Sequence, residues 1–303
     1  MDISTYENII SIAKYGSIAK AAESIFISKS SLSRQLISVE EELGIKIFNR
    51  ISNKLVLTYP GRIFLETAIR IVAEEREGRK LIEDITKAHS GSILVGMPLS
   101  RSDIIMPEII PKFHEMYPNV CIECSFRDSA EHRKSLEYGM IDIAIMSDFY
   151  MTPDLCCDFL CQDEYVLITN KDHPYAHMAG IDADGNRRPF ELEWFKNDYW
   201  GFEAPGISAR KISEDIFNAA GLNPHVLVDN CKYSLVIQLA SVGACNLITL
   251  DTFLNNNQNL VAFSLTPRRY HTLVAARRKD YNYSKPERDF ISLIQEYYKQ
   301  FEK

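Results

Sequence analysis

Lys29, Ser30, Ser33 and Arg34 bring two cations and two hydroxyls together within a few residues of one another. Lysine and arginine reach phosphate oxygens or guanine edges, and serine hydroxyls donate and accept at either. A second pair of cations, Arg50 and Lys54, brackets Ser52-Asn53, a turn signal just before the β-prone run Leu55-Val56-Leu57. A small basic wing of this kind suits contact with the sugar–phosphate backbone or the minor groove. With Ser28, which precedes the first cluster, and Asn53 in the turn, these residues form a candidate nucleic-acid surface: Ser28, Lys29, Ser30, Ser33, Arg34, Arg50, Asn53 and Lys54.

The elements that must position them are short helices. Ala21, Ala22 and Ile25 recur at helical spacing, as do Leu32, Leu36, Val39 and Leu43, and Ser28 is a good N-cap between the two sets. Small side chains at Ala21 and Ala22 let the second helix cross the first closely. The pattern predicts a helix-turn-helix over 18–37, with the start of its second helix free to enter a major groove. Glu40-Glu41-Glu42 lies at the far end of that helix, before Gly44, and reads as a solvated face. The net charge of −7 does not exclude DNA, because residues 1–60 carry seven Lys or Arg against six Asp or Glu.

This N-terminal pattern resembles the LysR-type transcriptional regulators. The residues that carry the resemblance are Ala21-Ala22, Ser28, Leu32-Ser33-Arg34-Gln35, Glu41-Glu42-Leu43-Gly44, Ile47-Phe48-Asn49-Arg50 and Leu57-Thr58-Tyr59-Pro60-Gly61. Lys29-Ser30 and Asn53 depart from residues common at those positions, which bears on the operator read. The resemblance implies a winged helix-turn-helix over 1–60 and a linker helix over 61–90 that pairs with a second subunit. It implies an α/β, two-lobed, periplasmic-binding-protein-like effector domain over 91–303, with lobe I about 91–162 and 267–303 and lobe II about 163–266. Implied partners are double-stranded DNA with paired half-sites, a second copy in a dimer or tetramer, a small-molecule effector and RNA polymerase.

The remaining sequence supports that division. Apolar positions from Arg62 to about Ala88 predict one long helix, almost wholly charged from Glu74 to Lys80; a solvated linker is one reading, and pairing of the apolar stripe with a second copy is the favoured one. From Ser92, strands alternate with helices expected at about Ile104–Tyr117, Ala130–Tyr138, Ser208–Ala220 and Ser234–Val242, a pattern of mostly parallel sheet. Gly139 to Ile145 is similar to the family's Gly-x-x-Asp-x-Ala-Ile element, while Gly243 and Cys245 stand where it usually has a Gly-x-Gly pair. Ligands of open α/β sheets bind beyond strand C-termini, near helix starts that favour anions. Ser100, Arg101 and Ser102 follow one strand and Arg127, Asp128 and Ser129 follow another, so a small anionic effector is expected there. Ser102 and Ser129 could equally act only as helix caps. The resemblance adds Phe202 and Pro205, from the segment Phe202–Gly206, to Ser100, Ser102 and Ser129 as cleft candidates.

Other classes find little support. A hydrophobic content of 46% and a charged content of 25% describe a globular chain. The N-terminus shows no secretory pattern, and Leu235–Leu250 is too interrupted by polar residues to span a membrane. With no such signal, the seven cysteines are expected to be free thiols in a cytoplasmic protein. Two Ser-x-x-Lys runs lack a Lys-Thr-Gly partner, and His173 and His177 lack a carboxylate set in the sequence, so no enzyme and no cofactor are expected. Two alternatives stay open: a ligand-independent regulator acting through oligomerisation, and a solute-binding protein.

Overall fold

The computed structural model describes residues 1–51, 54–86, 90–254 and 257–299. The chain opens with α1 (Ile3–Tyr15), α2 (Ile18–Ser24) and α3 (Lys29–Leu43), then the antiparallel pair β1 (Phe48–Ile51) and β2 (Lys54–Leu57). Asp2, Ser17 and Ser28 cap the three helices through their side chains, and Gly16 and Gly44 end α1 and α3 in the left-handed region. Ala21 and Ala22 are buried with Leu32, Leu36 and Val39, the close crossing that the small residues allow.

Glu40 is a correction to the solvated-face reading. It is 6% exposed, and its carboxylate accepts from Ile47 N at 2.8 Å, Phe48 N at 3.3 Å and Lys46 Nζ at 2.6 Å. It fastens α3 to the start of β1, while Glu41 and Glu42 remain exposed.

α4 (Tyr59–Thr86) is a single helix of 28 residues. Thr58 starts it: its hydroxyl accepts from Gly61 N at 2.9 Å and donates to Lys46 O at 2.6 Å. A Cβ at Gly61 would stand 2.0 Å from Ile47 O, a backbone atom that cannot turn aside. Replacing Gly61 with alanine is therefore expected to cost roughly 2 kcal/mol of N-terminal-domain stability. Urea unfolding checks this, and an unchanged midpoint would contradict the close approach.

The second domain contains β3 (Gly91–Gly96), α5 (Leu99–Met116), β4 (Val120–Ser125), α6 (Ser129–Glu137), β5 (Ile143–Ser147) and β6 (Leu155–Asn170). There follow β7 (Tyr199–Glu203), α7 (Ser208–Ala220), β8 (His225–Cys231), α8 (Tyr233–Ser241), β9 (Leu247–Leu250), β10 (Leu260–Ser264), β11 (Tyr270–Arg278) and α9 (Lys285–Lys299). The main sheet runs β10-β6-β11-β5-β3-β4, with β9 also on β6. Its pairing is mixed rather than mostly parallel: β3 is parallel to β4 and β5, whereas β11 and β6 bring antiparallel pairing to the middle.

β6 is one strand of 16 residues that serves both lobes. Its first part pairs with β11 and its last part with β9 and β10. One core lies between α5, α9 and the lobe I strands, around Phe113 and Phe290, and the other surrounds Trp200, Phe195 and Phe263 in lobe II.

α5 begins at Leu99 rather than near Ile104, so Ser100 and Ser102 lie within its first turn instead of in a preceding loop. Pro98 occupies the cap position without a side-chain bond, so neither serine caps this helix. At α6 the cap is Asp128, whose carboxylate accepts from Glu131 N at 2.7 Å, which leaves Ser129 inside the helix and its hydroxyl out of the capping role. Gly243 takes φ +76°, as a turn glycine does, and Cys245 is buried against Gly201, where a Cβ would meet Val236 Cγ1 at 2.3 Å and Cys245 Sγ at 3.2 Å. The thiol thus fills space that the bare glycine leaves.

Candidate functional site

The structure presents two candidate regions. In the first, Lys29, Ser30 and Arg34 are exposed along the start of α3 and Ser33 is half-buried, with Arg50 and Lys54 exposed on the wing. Ser28 is engaged as a cap: its hydroxyl accepts from Ser31 N at 3.1 Å and lies 3.1 Å from Ser30 Oγ. Arg34 Nε donates to Ser30 O at 3.3 Å, which leaves the end of the guanidinium outward. Asn53 lies outside the described residues. Gln35, from the same sequence motif, works internally, since Asn8 donates to its Oε1 and its Nε2 donates to Thr5 Oγ1.

Sequence reasoning misses Phe26. It stands in the turn between α2 and α3 with φ +56° and is 94% exposed. Its signal is present in the sequence: a large apolar residue immediately before a capped basic helix, outside the periodic core set.

The charged middle of α4 is not a bare solvated stretch. Arg76 Nη2 donates to Asp142 Oδ1 at 2.9 Å, and Lys80 Nζ reaches Asp142 Oδ2 at 2.6 Å and Glu287 Oε1 at 2.8 Å. Asp142 also accepts from Leu94 N at 2.8 Å, and Arg278 pairs with Glu77 at 3.3 Å. The aspartate of the Gly-x-x-Asp-x-Ala-Ile element is thus the buried anchor between linker helix and lobe I. At the other end of α4, Phe64 stacks on Tyr6 of α1 with ring centroids 6.0 Å apart.

The second region is a cleft of about 470 Å³ between the lobes. The starts of four helices meet it: Leu99 and Ser100 of α5, Ser129 of α6, Ser208 of α7, and Tyr233 of α8 beside Lys232. Of the cleft candidates, Ser100 and Ser129 line it. The structure does not bring the other three there. Ser102 turns inward and is buried, and Phe202 packs in the lobe II core against Phe217 beneath the Arg210 guanidinium. Pro205 is also outside the lining, which its neighbours Gly206 and Ile207 provide.

Arg101, grouped with the serines in the sequence, is 2% exposed and bonded to Asp163. It lies 5.3 Å from the Phe253 ring, and Asp163 accepts from Thr252 Oγ1 at 2.6 Å, so this pair ties lobe I to lobe II at the cleft floor. Its charge is already neutralised.

Glu203, at the end of β7, also lines the cleft; it lies within the segment Phe202–Gly206 but is not singled out by the sequence reading. It is 7% exposed, and its carboxyl accepts a hydrogen bond from Thr249 Oγ1 at 3.0 Å. Burial pushes its pKa up to about 7 against the opposing effect of Thr249. Across the floor, burial and then the nearby Arg101 charge depress His271 to about 4, and its Nδ1 has no hydrogen-bond partner among the described residues.

Away from the cleft, His173 does have a carboxylate: its Nε2 lies 2.7 Å from Asp198 Oδ2, which also accepts from Asn246 at 3.0 Å. His173 stacks on Phe195 at 4.6 Å, so the pair secures the loop after β6 to the lobe II core.

A winged helix-turn-helix joined through a long helix to a two-lobed cleft domain is the architecture of a DNA-binding regulator with an effector-binding domain. The family model "Bacterial regulatory helix-turn-helix protein, lysR family" matches residues 4–62, "LysR substrate binding domain" matches 86–299, and the chain belongs to the LysR-type transcriptional regulators. It is similar to a "Probable RuBisCO transcriptional regulator" of Cyanidioschyzon merolae, 31% identical over 172 residues, 56% of this chain and 57% of that protein. The protein of the same name from Porphyra purpurea is 26% identical over 77% of this chain and 70% of its own length. The chain thus spans little more than half of the first relative's length. Among solved structures, a full-length OxyR variant from Pseudomonas aeruginosa aligns over 97% of this chain and 98% of its own, with TM-score 0.72 and 17% identity. The LysR family regulator CbnR aligns over 98% and 99%, with TM-score 0.62 and 17% identity. At these identities the likeness speaks for the fold. No helix among the described residues is long and apolar enough to cross a membrane.

Proposed function

We propose that this chain is a sequence-specific transcriptional regulator that binds paired DNA half-sites as a homo-oligomer and responds to a small molecule in the interlobe cleft. The observation that carries the DNA part is the exposed, capped start of α3, with Lys29 and Arg34 on the same domain as the exposed wing cations Arg50 and Lys54. CbnR, whose fold this chain shares, has been solved in complex with its target DNA. For self-association, α4 leaves Ile63, Leu81 and Ile82 more than a third exposed, apolar surface suited to a second copy.

The effector acts by population shift. Binding between the lobes favours one degree of closure, and the ion-paired contact of lobe I with α4 carries that change toward the DNA-binding domain. A cytoplasmic location and contact with RNA polymerase accompany this reading, and nothing in the site requires catalysis.

Fluorescence anisotropy with DNA from upstream of the chain's own gene tests the DNA role. Replacing Arg34 with alanine is expected to weaken operator binding by more than about 1 kcal/mol. Undiminished affinity in a folded variant would remove α3 from the interface. Thermal-shift screening with small carboxylates separates the effector reading from a ligand-independent regulator, because a specific ligand raises stability.

A further inference from the structure

Glu203 is a buried carboxyl that the cations among the described residues leave alone. Arg101 is bonded to Asp163. Arg127 lies 3.5 Å from Glu131. Arg210, which packs on the neighbouring Phe202, bonds the Glu203 carbonyl rather than its carboxyl and pairs with Glu214 and Asp229. Removing a carboxylate from water without a counter-charge is costly, and replacement by an apolar residue would relieve that cost. Glu203 nevertheless sits in the lining of the interlobe cleft with only the neutral Thr249 hydroxyl on its carboxyl, and His271 beside it in the lining has an Nδ1 without a partner among the described residues. A ligand can supply the counter-charge that Glu203 lacks.

The rest of the lining has a different character. Ser100 and Ser129 offer hydroxyls and helix-start amides on lobe I, and Lys232 is an exposed cation at the start of α8. These groups favour an anion. Phe253, Leu250 and Leu273 supply apolar surface between polar groups, and about 470 Å³ is ample for a small molecule.

We propose that the effector is an amino-carboxylate, with its protonated amine paired to Glu203 and its carboxylate held by the helix starts at Ser100 and Ser129 together with Lys232. This rests on the reading of the cleft as the effector site. The ammonium gives Glu203 a charge-assisted hydrogen bond in a desolvated place, where such bonds are strongest. A simple carboxylic acid would satisfy the helix starts and leave Glu203 alone.

The test uses the full chain and two matched probe sets at millimolar concentration: α- and ω-amino acids, and the desamino acids of the same chain lengths. Thermal shift and isothermal titration are read for the wild type and for Glu203→Gln, which keeps the acceptor for Thr249. Amino acids are expected to raise the melting temperature where their desamino partners do not, and Glu203→Gln is expected to lose at least tenfold in affinity for them. N-acetylation, which removes the charge from the ligand instead, is expected to cause a similar loss in the wild type, so the test stands even if the variant folds poorly. Desamino acids binding as tightly as amino acids would overturn the amine assignment and leave the cleft reading standing. Amino acids binding equally to both proteins would place the amine away from Glu203 and overturn it as well. No response to either set would count against the cleft reading, and the proposal would fall with it.

Discussion

Replacing Asp142 with alanine is expected to lower the stability of the linker–lobe I unit by about 3 kcal/mol, the low end for truncating one partner of a buried ion pair. Asp142 accepts from Arg76, Lys80 and the Leu94 amide while only 3% exposed. Its loss removes two charged contacts and leaves a backbone N–H in search of an acceptor. The effect is not larger because Lys80 retains Glu287, which is itself held by Tyr281 at 2.6 Å and Ser284 N at 2.7 Å. Asp142→Asn, which can still accept from Leu94, is expected to fall between the two. Denaturant unfolding followed by near-ultraviolet circular dichroism reads the loss. A midpoint within error of the wild type would mean that the ion pairs are solvated and contribute nothing.

Glu203→Gln is expected to do the opposite above neutrality. The Glu203 pKa is raised to about 7 by burial, so its ionisation is easier in the unfolded chain than in the folded one. Stability linked to this group is fully present below its ordinary value, near 4.5, and is lost as pH rises through about 7. Glutamine does not ionise and keeps the Thr249 bond. The variant should match the wild type near pH ~4 and exceed it by on the order of 2 kcal/mol near pH ~8. Melting temperatures of the ligand-free proteins across that range provide the measurement. Parallel curves would show that Glu203 is solvated when folded.

The DNA-binding half is legible because its signals are local. A cap such as Ser28, small residues at Ala21-Ala22 and a terminating Gly44 each act within a turn or two of the chain, and each takes its expected place. Glu40 escapes because its partners, Ile47 and Phe48, lie on the far side of a turn, and composition alone cannot distinguish it from Glu41. The same limit applies to α4: Arg76 and Lys80 meet Asp142 and Glu287 across 62 to 207 residues of sequence, so their run looks like solvent-facing charge.

In the cleft, alternation of strands and helices locates strand ends and helix starts, and Ser100 and Ser129 there line the space between the lobes. Ser102 is lost to helix phase, since α5 starts five residues earlier than the apolar spacing indicates and turns that side chain inward. Phe202 and Glu203 alternate along β7, one entering the core and the other facing the cleft, and the sequence pattern gives no strand there. The long β6 is legible only at its apolar end because its first part, Cys156 to Phe159, lacks the alternation of apolar and polar residues that marks a strand.

The unbroken α4 has a mechanical consequence. At ~1.5 Å per residue its 28 residues form a rigid arm about 42 Å long. Lobe I grips its second half through Asp142, at Arg76 and Lys80, and its first turns are packed against α1 through Phe64. A tilt of about 8° at the grip sweeps the start of the helix, ~26 Å from Arg76, through about 4 Å, comparable with the ~3.4 Å rise between neighbouring base pairs. On the proposed effector mechanism, a rocking of the lobes by that angle would shift the N-terminal domain by about one step of a duplex.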